Sequence, residues 1–319
     1  MKPYKLIYNP NAGIKRSQLP FNNQVSLEEV RSLLKQYEIQ VDYSPTKRAG
    51  HATDLAKEAI KEGYKTVIVA GGDGTVGEVA SALVGTDIVL GILPLGSFMN
   101  TARMLSIPIN LELAVATIKM RRVRKIDVGC MTRLGGEKLD EQSYFLESAG
   151  LGLEADFHEK FIQLERGDVK ALYEIVKQFI KFYARKITIE LDNHKIITRP
   201  ILVNIANGPY SGAALSLAPG ARLNDHKLTV SLFKMGRVEV IRMLWTLLWG
   251  KSIKSYGIDT YQSKLVKVST SSPMSIHIDA RVFGETPASF KIIPNALKVV
   301  TGYPKDGEVS LLQRTYLDL

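Results

Sequence analysis

Four glycines and an aspartate lie close together between Gly71 and Gly77. They follow the apolar run Lys65 to Ala70, which has the composition of a buried strand, and they precede an amphipathic segment. Glycines let backbone N–H groups approach phosphate oxygens, and the N-terminal end of a helix attracts anions. The aspartate, Asp73, is placed to meet the metal ion of a nucleotide or to accept a proton from an attacking hydroxyl. The segment predicts a phosphate-binding loop with an acidic side chain.

The same glycine loop also fits the spelling of a dinucleotide-binding motif. Gly72, Gly74 and Gly77 have the spacing G-x-G-x-x-G. That motif requires a carboxylate near the end of the next strand, to hold a ribose hydroxyl. The next strand ends in Leu93 to Ser97 and has no carboxylate there, so we do not favour a dehydrogenase.

The polar side chains of the loop have a purely structural interpretation as well. Asp73 or Thr75 could cap the helix that follows, whether or not a ligand exists. Capping does not account for four glycines in seven positions, so we retain the phosphate-binding interpretation.

Two further polar loops follow strands. Asn9 to Gly13 comes after the run Tyr4 to Tyr8, and Pro94 to Arg103 comes after the run Ile88 to Leu93. In an open parallel sheet the ligand lies in the crevice beyond the carboxyl ends of the strands. The three loops therefore predict one crevice.

Strands and helices alternate in the first half of the chain. The patterns predict strands at Tyr4–Tyr8, Gln40–Tyr43, Lys65–Ala70 and Ile88–Leu93, and helices at Leu27–Tyr37, Ala49–Gly63 and Gly77–Val84. This alternation is typical of a parallel sheet with helices on its faces.

The pattern changes to β-hairpins after Asp127. Alternating runs predict strands at 186–191, 196–197, 201–205, 228–233, 265–269, 275–279, 290–293 and 297–300, with helices at 170–184 and 237–249. We expect an α/β domain over residues 1–127 and an antiparallel β-sandwich over residues 128–319, whose last segment can pack back on the first domain. The site is expected in the cleft between them.

The composition excludes several classes of protein. The 319 residues include 42 Lys and Arg against 32 Asp and Glu, a formal charge of +10, and 45% are hydrophobic, which is not the composition of a disordered or collagen-like chain. The single cysteine, Cys130, cannot form an internal disulfide, so we expect a cytoplasmic protein. The basic residues are dispersed, without the aromatic interleaving of a nucleic-acid-binding motif, so we expect no nucleic acid as a partner.

The order of the motifs resembles the diacylglycerol kinase and sphingosine kinase catalytic family, in its bacterial soluble lipid-kinase branch. The resemblance covers about the whole chain and rests on Asn9 to Gly13, Thr46 with Gly50 to Ala52, Gly71 to Thr75 with Glu78, Pro94 to Ser97 with Ala102 and Arg103, Ala149 to Gly152, Ala206 to Gly208, Ala218 to Ala221, and Asn224 with Asp225. NAD kinases share the glycine loop, but the Asn-Glu pair expected of them after the second loop is not evident.

The resemblance implies the residues that bind ATP and Mg²⁺. Those that would hold ATP are Asn9, Pro10, Asn11, Ala12, Gly13, Thr46, Gly71, Gly72, Gly74, Thr75, Val76, Gly77, Glu78 and Ser97. Asp73 would face the phosphates and Mg²⁺. A structural Mg²⁺ site would be formed in the β-domain by Asp225 with the backbone carbonyls of Arg222 and Lys227. His226 stands where the family has glycine, which predicts that this loop has lost a position of positive φ.

Two departures from the family pattern concern catalysis. The usual Gly-Thr-x-Asn-Asp run reads Gly96 to Asn100 here, so an amide replaces the carboxylate at its end. The C-terminal Asp-Gly-Glu, whose Glu is the family's proposed proton acceptor, ends in Arg281, which cannot act as a general base at neutral pH. The candidates that remain for the proton acceptor are Asp73, Asp279 and Glu285.

The predicted strand that ends at Asp279 alternates between two faces. Ser275, His277 and Asp279 lie on one face, opposite Ile276 and Ile278, so Asp279 can point into the cleft. We place His277 on the exposed surface, because histidine is mostly partly exposed.

These inferences predict an ATP-dependent lipid kinase that transfers the γ-phosphoryl group to a hydroxyl of diacylglycerol or a long-chain base. One alternative, motivated by Arg281, is a catalytically impaired protein that binds nucleotide and lipid on the same fold. The second is an NAD-kinase-like enzyme with a soluble substrate.

A bilayer-held substrate requires contact with a membrane surface during turnover. Residues 237–254 combine large apolar side chains with cations, which suits an anionic bilayer. A core helix explains the same apolar spacing, and we favour it. The basic run Lys119 to Lys125 is expected to be a solvated face. A homodimer is compatible with the sequence.

Overall fold

A computed structural model describes residues 3–12, 25–134, 142–152, 184–211, 216–234, 258–279 and 281–303, with the single residues 170, 236 and 239. Apart from residues 170, 184 and 239, the predicted helices at 170–184 and 237–249 lie outside the described residues. The same holds for most of the membrane-contact segment 237–254 and for Gly13. No helix within the described ranges is long and apolar enough to span a membrane.

The first half of the chain forms a parallel sheet covered by helices, as predicted. Its elements are β1 (Tyr4–Tyr8), α1 (Leu27–Gln36), β2 (Val41–Pro45), α2 (His51–Lys61), β3 (Thr66–Gly71), α3 (Asp73–Leu83), β4 (Val89–Pro94), α4 (Asn100–Met104) and α5 (Leu111–Met120). The strands lie in the order β2-β1-β3-β4 and all pair in parallel. The apolar side chains of β1, β3 and β4 are buried on both faces, which is why these strands read as continuous apolar runs.

Helix α3 begins four residues earlier than predicted, at Asp73 rather than Gly77. The glycine loop itself forms the first turn of the helix, because Gly72 alone lies between the last residue of β3 and the first residue of α3. Helices α4 and α5 were not predicted. Helix α4 has only five residues and, apart from Met104, lies within the segment Pro94 to Arg103, which was predicted as a polar loop.

The second half is built from antiparallel strands. They are β5 (Val123–Arg133), β6 (Gln142–Phe145), β7 (Ser148–Gly152), β8 (Ile187–Glu190), β9 (Lys195–Thr198), β10 (Leu202–Ala206), β11 (Leu228–Phe233), β12 (Ile258–Ser263), β13 (Leu265–Thr270), β14 (Ser275–Ile278), β15 (Arg281–Glu285) and β16 (Ala288–Val300). Strands β12-β11-β10-β7-β14-β15 form one six-stranded sheet. The basic run predicted as a solvated face leads from the end of α5 into β5.

The long strand β16 joins the two halves. It pairs antiparallel with β5 along most of its length and in parallel with β4 through Lys298 and Val299. The parallel strands and part of the antiparallel ones therefore belong to one ten-stranded sheet, with β13, β8 and β9 beyond β16. This continuous sheet holds the carboxyl ends of the parallel strands against the loops of the six-stranded sheet.

Two apolar cores support this arrangement. One lies around the parallel sheet and contains Leu6, Ile68 and Ile92, all fully buried. The other lies between the two sheets and contains Phe145 and Phe290. The parallel strands β3 and β4 are buried on both faces, so the loops at their ends are held by rigid elements.

Candidate functional site

The predicted loops meet at the carboxyl ends of the parallel strands. Asn9 donates from its backbone N–H to the carbonyl of Ala70 (2.9 Å), and Thr46 donates to the carbonyl of Tyr8 (2.8 Å). The side-chain amide of Asn9 also donates to Oγ1 of Thr75, 2.9 Å away. The first loop is therefore bound directly to the glycine loop, while Pro10 and Asn11 stay exposed.

The glycine loop and the loop after β4 approach each other closely. A Cβ atom on Gly96 would lie 2.6 Å from Cα of Gly72 and 2.7 Å from the sulfur of Met99. Leu95 donates to the carbonyl of Gly71 (3.0 Å). Gly96 is therefore required by a close approach of two backbones. The thioether of Met99 accepts a hydrogen bond from the Gly96 N–H (3.1 Å).

The N-terminus of α3 is open toward the crevice. No side chain among the described residues caps it, and a Cβ atom on Gly74 would meet nothing within 4 Å. The N–H groups of a first helical turn have no partners within the helix, and the helix dipole adds positive potential there. This end of α3 can receive an anion.

Asp73 caps a different helix from the one that it begins. Its carboxylate accepts hydrogen bonds from the backbone N–H groups of Asn100 and Thr101, each at 3.1 Å, which are the first residues of α4. Burial raises the pKa of Asp73, and these backbone hydrogen bonds oppose that shift. The interpretation of Asp73 as a cap of its own helix was wrong, because α3 starts at Asp73 itself.

Glu78 connects α3 to α2. Its carboxylate accepts hydrogen bonds from the N–H groups of Gly50 (3.0 Å) and Ala52 (3.2 Å), so it caps the N-terminus of α2. Gly50 has φ +79°, a left-handed conformation that favours glycine. Arg281 reaches the same carboxylate from β15, with its Nη1 atom 3.8 Å from Oε1.

Asp279 lies opposite the glycine loop, in the turn after β14. Its carboxylate accepts hydrogen bonds from three successive backbone N–H groups, those of Leu146 (3.1 Å), Glu147 (3.0 Å) and Ser148 (3.1 Å). A Cβ atom on Gly77 would lie 3.8 Å from Oδ2 of Asp279, so the carboxylate faces α3. Burial, with a further contribution from the negative charge of Asp73, raises the pKa of Asp279 to about 6.

Comparison with known proteins agrees with this geometry. Residues 3–131 match the diacylglycerol kinase catalytic domain, and residues 147–301 match the YegS C-terminal NAD kinase beta sandwich-like domain. The chain therefore contains a diacylglycerol kinase catalytic domain followed by a YegS C-terminal domain. The resemblance stated from the sequence is thus confirmed.

Members of this family are similar to the chain over nearly its whole length. It is 29% identical to a diacylglycerol kinase of Bacillus subtilis over 313 residues, covering 94% of this chain and 96% of the relative. It is 26% identical over 282 residues to a probable lipid kinase YegS-like of Klebsiella pneumoniae, covering 86% and 91%. A crystal structure of a diacylglycerol kinase from Bacillus anthracis has the same fold, with a TM-score of 0.70, 20% identity and coverage of 94% and 97%. The predicted fold class is confirmed.

The structure separates the remaining catalytic candidates. Glu285 is exposed and pairs with Ser275, at the opposite end of the β14–β15 hairpin from Asp279. It lies four residue steps along the strand from Arg281, a distance of about 13 Å. The structure does not bring Glu285 to the carboxylates, because the hairpin runs away from the crevice.

Two other side chains of this hairpin are His277, which was predicted to be exposed, and Arg281, which stands where the family has a carboxylate. His277 is 1% exposed, so the prediction of a surface histidine was wrong. It is buried because both faces of β14 are covered: Ile276 and Ile278, on the opposite face, are buried as well. Arg281 is half exposed and directs its charge toward Glu78.

Glu147 is a site residue that the sequence reasoning missed. It is 4% exposed, and its Oε2 atom accepts a hydrogen bond from the side-chain amide of Asn100 (2.8 Å). The sequence signal that could have found it is a glutamate between two apolar strands, where an ionised side chain must have a partner.

The loop predicted to bind a structural Mg²⁺ ion is held by protein contacts. Asp127 has no exposed surface, and its carboxylate accepts hydrogen bonds from the His226 N–H (2.7 Å) and the Asn295 N–H (2.8 Å), with the His226 ring at 2.9 Å. Asp225 accepts a hydrogen bond from the Lys227 N–H (3.1 Å).

The contacts of Asp127 fix the loop but do not involve the predicted ligands of the ion. The described part of the chain contains no group of three or more acidic, histidine or cysteine side chains that could hold a metal ion, whereas the predicted site consists of one carboxylate and two backbone carbonyls. His226 has φ +60°, so the position of positive φ predicted to be lost is kept without a glycine. The Mg²⁺ site of Asp225 with the backbone carbonyls of Arg222 and Lys227 stays a prediction.

Proposed function

We propose that this protein is an ATP-dependent lipid kinase that transfers the γ-phosphoryl group to a hydroxyl of a lipid such as diacylglycerol or a long-chain base. Residues 1–127 bind the nucleotide in this proposal, and residues 128–319 bind the lipid. The observation that carries it is the open N-terminus of α3 facing the carboxylate of Asp279 across the crevice. The match to the diacylglycerol kinase catalytic domain supports the same reaction.

The nucleotide phosphates would lie at the start of α3. Gly74 leaves space there, and the unpaired N–H groups of the first turn attract phosphate oxygens. Asn9 and Thr75 hold the neighbouring loop in place through their side-chain hydrogen bond. The half-exposed guanidinium of Arg281 lies beside Gly77 and adds positive charge to the same region.

Mg²⁺ suits the two carboxylates of the crevice. Asp73 and Asp279 are close enough for the charge of one to raise the pKa of the other, and oxygen ligands are those that Mg²⁺ prefers. Asp73 would hold the ion with the nucleotide phosphates, where Mg²⁺ neutralises charge that develops during the transfer.

Asp279 is the proton acceptor in this proposal. A carboxyl group with a pKa of about 6 is ionised at neutral pH and is more basic than an ordinary aspartate. The lipid hydroxyl would donate its proton to Asp279 as its oxygen bonds to the γ-phosphorus and the bond to ADP breaks. The carboxylate can receive it without rotation, because three backbone N–H groups fix its position.

The proposed lipid substrate implies where in the cell the enzyme acts. We propose a cytoplasmic enzyme that contacts the membrane during turnover; residues 237–254 are a candidate for this contact only if they do not form a core helix. The formal charge of +10 favours association with anionic headgroups.

A radiolabelled ATP assay tests the proposal. The full chain is incubated with Mg²⁺ and mixed micelles that contain diacylglycerol or a long-chain base, and with NAD in the absence of lipid. Labelled lipid that depends on Asp279 supports the proposal, with Asp279→Asn compared against Asp259→Asn, an exposed aspartate paired with Lys234. ATP binding without a labelled product would instead identify a catalytically impaired binding protein. Labelled NAD without lipid would identify a soluble-substrate kinase.

A further inference from the structure

A buried carboxylate and a buried amide join the two halves of the candidate site. Asn100 begins α4 in the first half and is 1% exposed, and Glu147 lies between β6 and β7 and is 4% exposed. The Nδ2 atom of Asn100 is 2.8 Å from Oε2 of Glu147. A hydrogen bond to a charged group is stronger than a neutral one, and losing it in a buried place leaves a costly unpaired group.

This pair is connected at both ends to the proposed reacting groups. The backbone N–H of Asn100 donates to Asp73, and the backbone N–H of Glu147 donates to Asp279. The two side chains therefore link the backbone that holds Asp73 to the backbone that holds Asp279. A shift of either side chain would move one carboxylate relative to the other.

The pair also accounts for the altered loop at 96–100. The family resemblance implies a carboxylate at position 100, where this chain has an amide. The carboxylate is instead on Glu147, directly against that amide and on the opposite side of the crevice. The site therefore still contains a carboxylate beside position 100, now supplied by Glu147.

We propose that Glu147 is a positioning residue for phosphoryl transfer. Through Asn100 it sets the separation of Asp73 and Asp279, and its carboxylate replaces the one that the 96–100 loop lacks. The predicted effect on turnover rests on the proposed function, whereas the hydrogen bond between Asn100 and Glu147 is a feature of the structure.

An exchange of the two groups tests the inference. The variants of the full chain are Glu147→Gln, Asn100→Asp, and the double variant Asn100→Asp/Glu147→Gln, which restores an amide–carboxylate bond in the reverse direction. Glu190→Gln, on the exposed β8–β9 hairpin, is the matched control. Lipid phosphorylation gives kcat and the KM for ATP, and thermal unfolding gives a readout without turnover.

We expect each single variant to lose kcat by about tenfold or more with a smaller change in KM, because displacement of reacting groups acts on the transition state. Asn100→Asp should also lower the unfolding temperature, because it faces two buried carboxylates toward each other. The double variant should regain both kcat and unfolding temperature, while Glu190→Gln matches the wild type.

The other results of these measurements overturn either the inference about Glu147 or the proposed function. Unchanged kcat in Glu147→Gln, or a double variant no better than Asn100→Asp in either readout, overturns the inference. Rescue of the unfolding temperature without rescue of kcat makes the pair merely structural and also overturns it. A wild-type chain with no lipid turnover overturns the proposed function, and in that case failure of thermal rescue separately overturns the pair.

Discussion

The Nδ1 atom of His226 lies 2.9 Å from Oδ1 of Asp127, a carboxylate with no exposed surface. The histidine also donates its backbone N–H to the same carboxylate, although its φ of +60° is a strained conformation. Two contacts from one residue thus fix the loop for which the sequence suggested a metal ion.

We expect His226→Ala to lower the free energy of unfolding by about 2 kcal/mol, because a hydrogen bond to a buried charged group is lost. His226→Gly should be less destabilising, since glycine adopts positive φ without strain. Urea unfolding measures both, with the exposed His194→Ala as the control. In the absence of nucleotide, a higher wild-type midpoint with Mg²⁺ would support the ion site predicted at Asp225, and an unchanged midpoint would count against it.

The raised pKa of Asp279 predicts a pH dependence of turnover. If Asp279 accepts the proton, kcat should rise as pH increases through about 6, the pKa at which its carboxyl group ionises. Stability should change in the opposite direction. The folded-state pKa lies above the unfolded value, so the stabilising contribution is full below the unfolded pKa and is lost as pH rises through about 6.

Kinetics between about pH 5 and pH 8 check the first statement. Urea unfolding from about pH 3 to pH 8 checks the second, because the stability changes between the ordinary carboxyl pKa and the raised one. The variant Asp279→Asn should lose the stability change near pH 6 as well as most of its turnover. A kcat that does not change across this range would exclude Asp279 as the proton acceptor.

Asp73→Asn should lower kcat by about 100-fold or more, because a carboxylate that faces the phosphates acts on charge in the transition state. The cost in stability should be near 1 kcal/mol, that of a weakened helix cap. Steady-state assays and thermal unfolding distinguish the two effects, with Asp259→Asn measured in parallel. Full activity in Asp73→Asn would remove this residue from the mechanism.

Gly74→Ala tests the open N-terminus of α3. The new methyl group meets no atom of the protein within 4 Å, so the fold should keep its stability. The methyl group would enter the space proposed for the phosphates, and we expect ATP affinity to fall by about tenfold, equivalent to 1.4 kcal/mol. Calorimetric titration measures this, and Gly220→Ala, which also meets nothing within 4 Å, is the matched control. Equal ATP affinity in both variants would place the phosphates elsewhere.

Local patterns were sufficient for much of the fold. Strands such as Tyr4–Tyr8 and Thr66–Gly71 are buried on both faces, so their apolar runs are visible without knowing their partners. The start of α3 could not be predicted from the sequence, because glycines within a first helical turn look like a loop. The role of β16 was also hidden, since pairing with both β4 and β5 depends on segments far apart in the chain.

The sequence by itself determined the family, the order of strands and helices in the first half, and the glycine loop with Asp73. These features depend on residue type and short-range spacing. Only the tertiary structure decided which carboxylates act together: Asp279 faces α3, Glu147 pairs with Asn100, and Glu285 lies apart. The reason is that hydrogen-bond partners and electrostatic shifts depend on distances between residues that are remote in sequence, which local spacing does not encode.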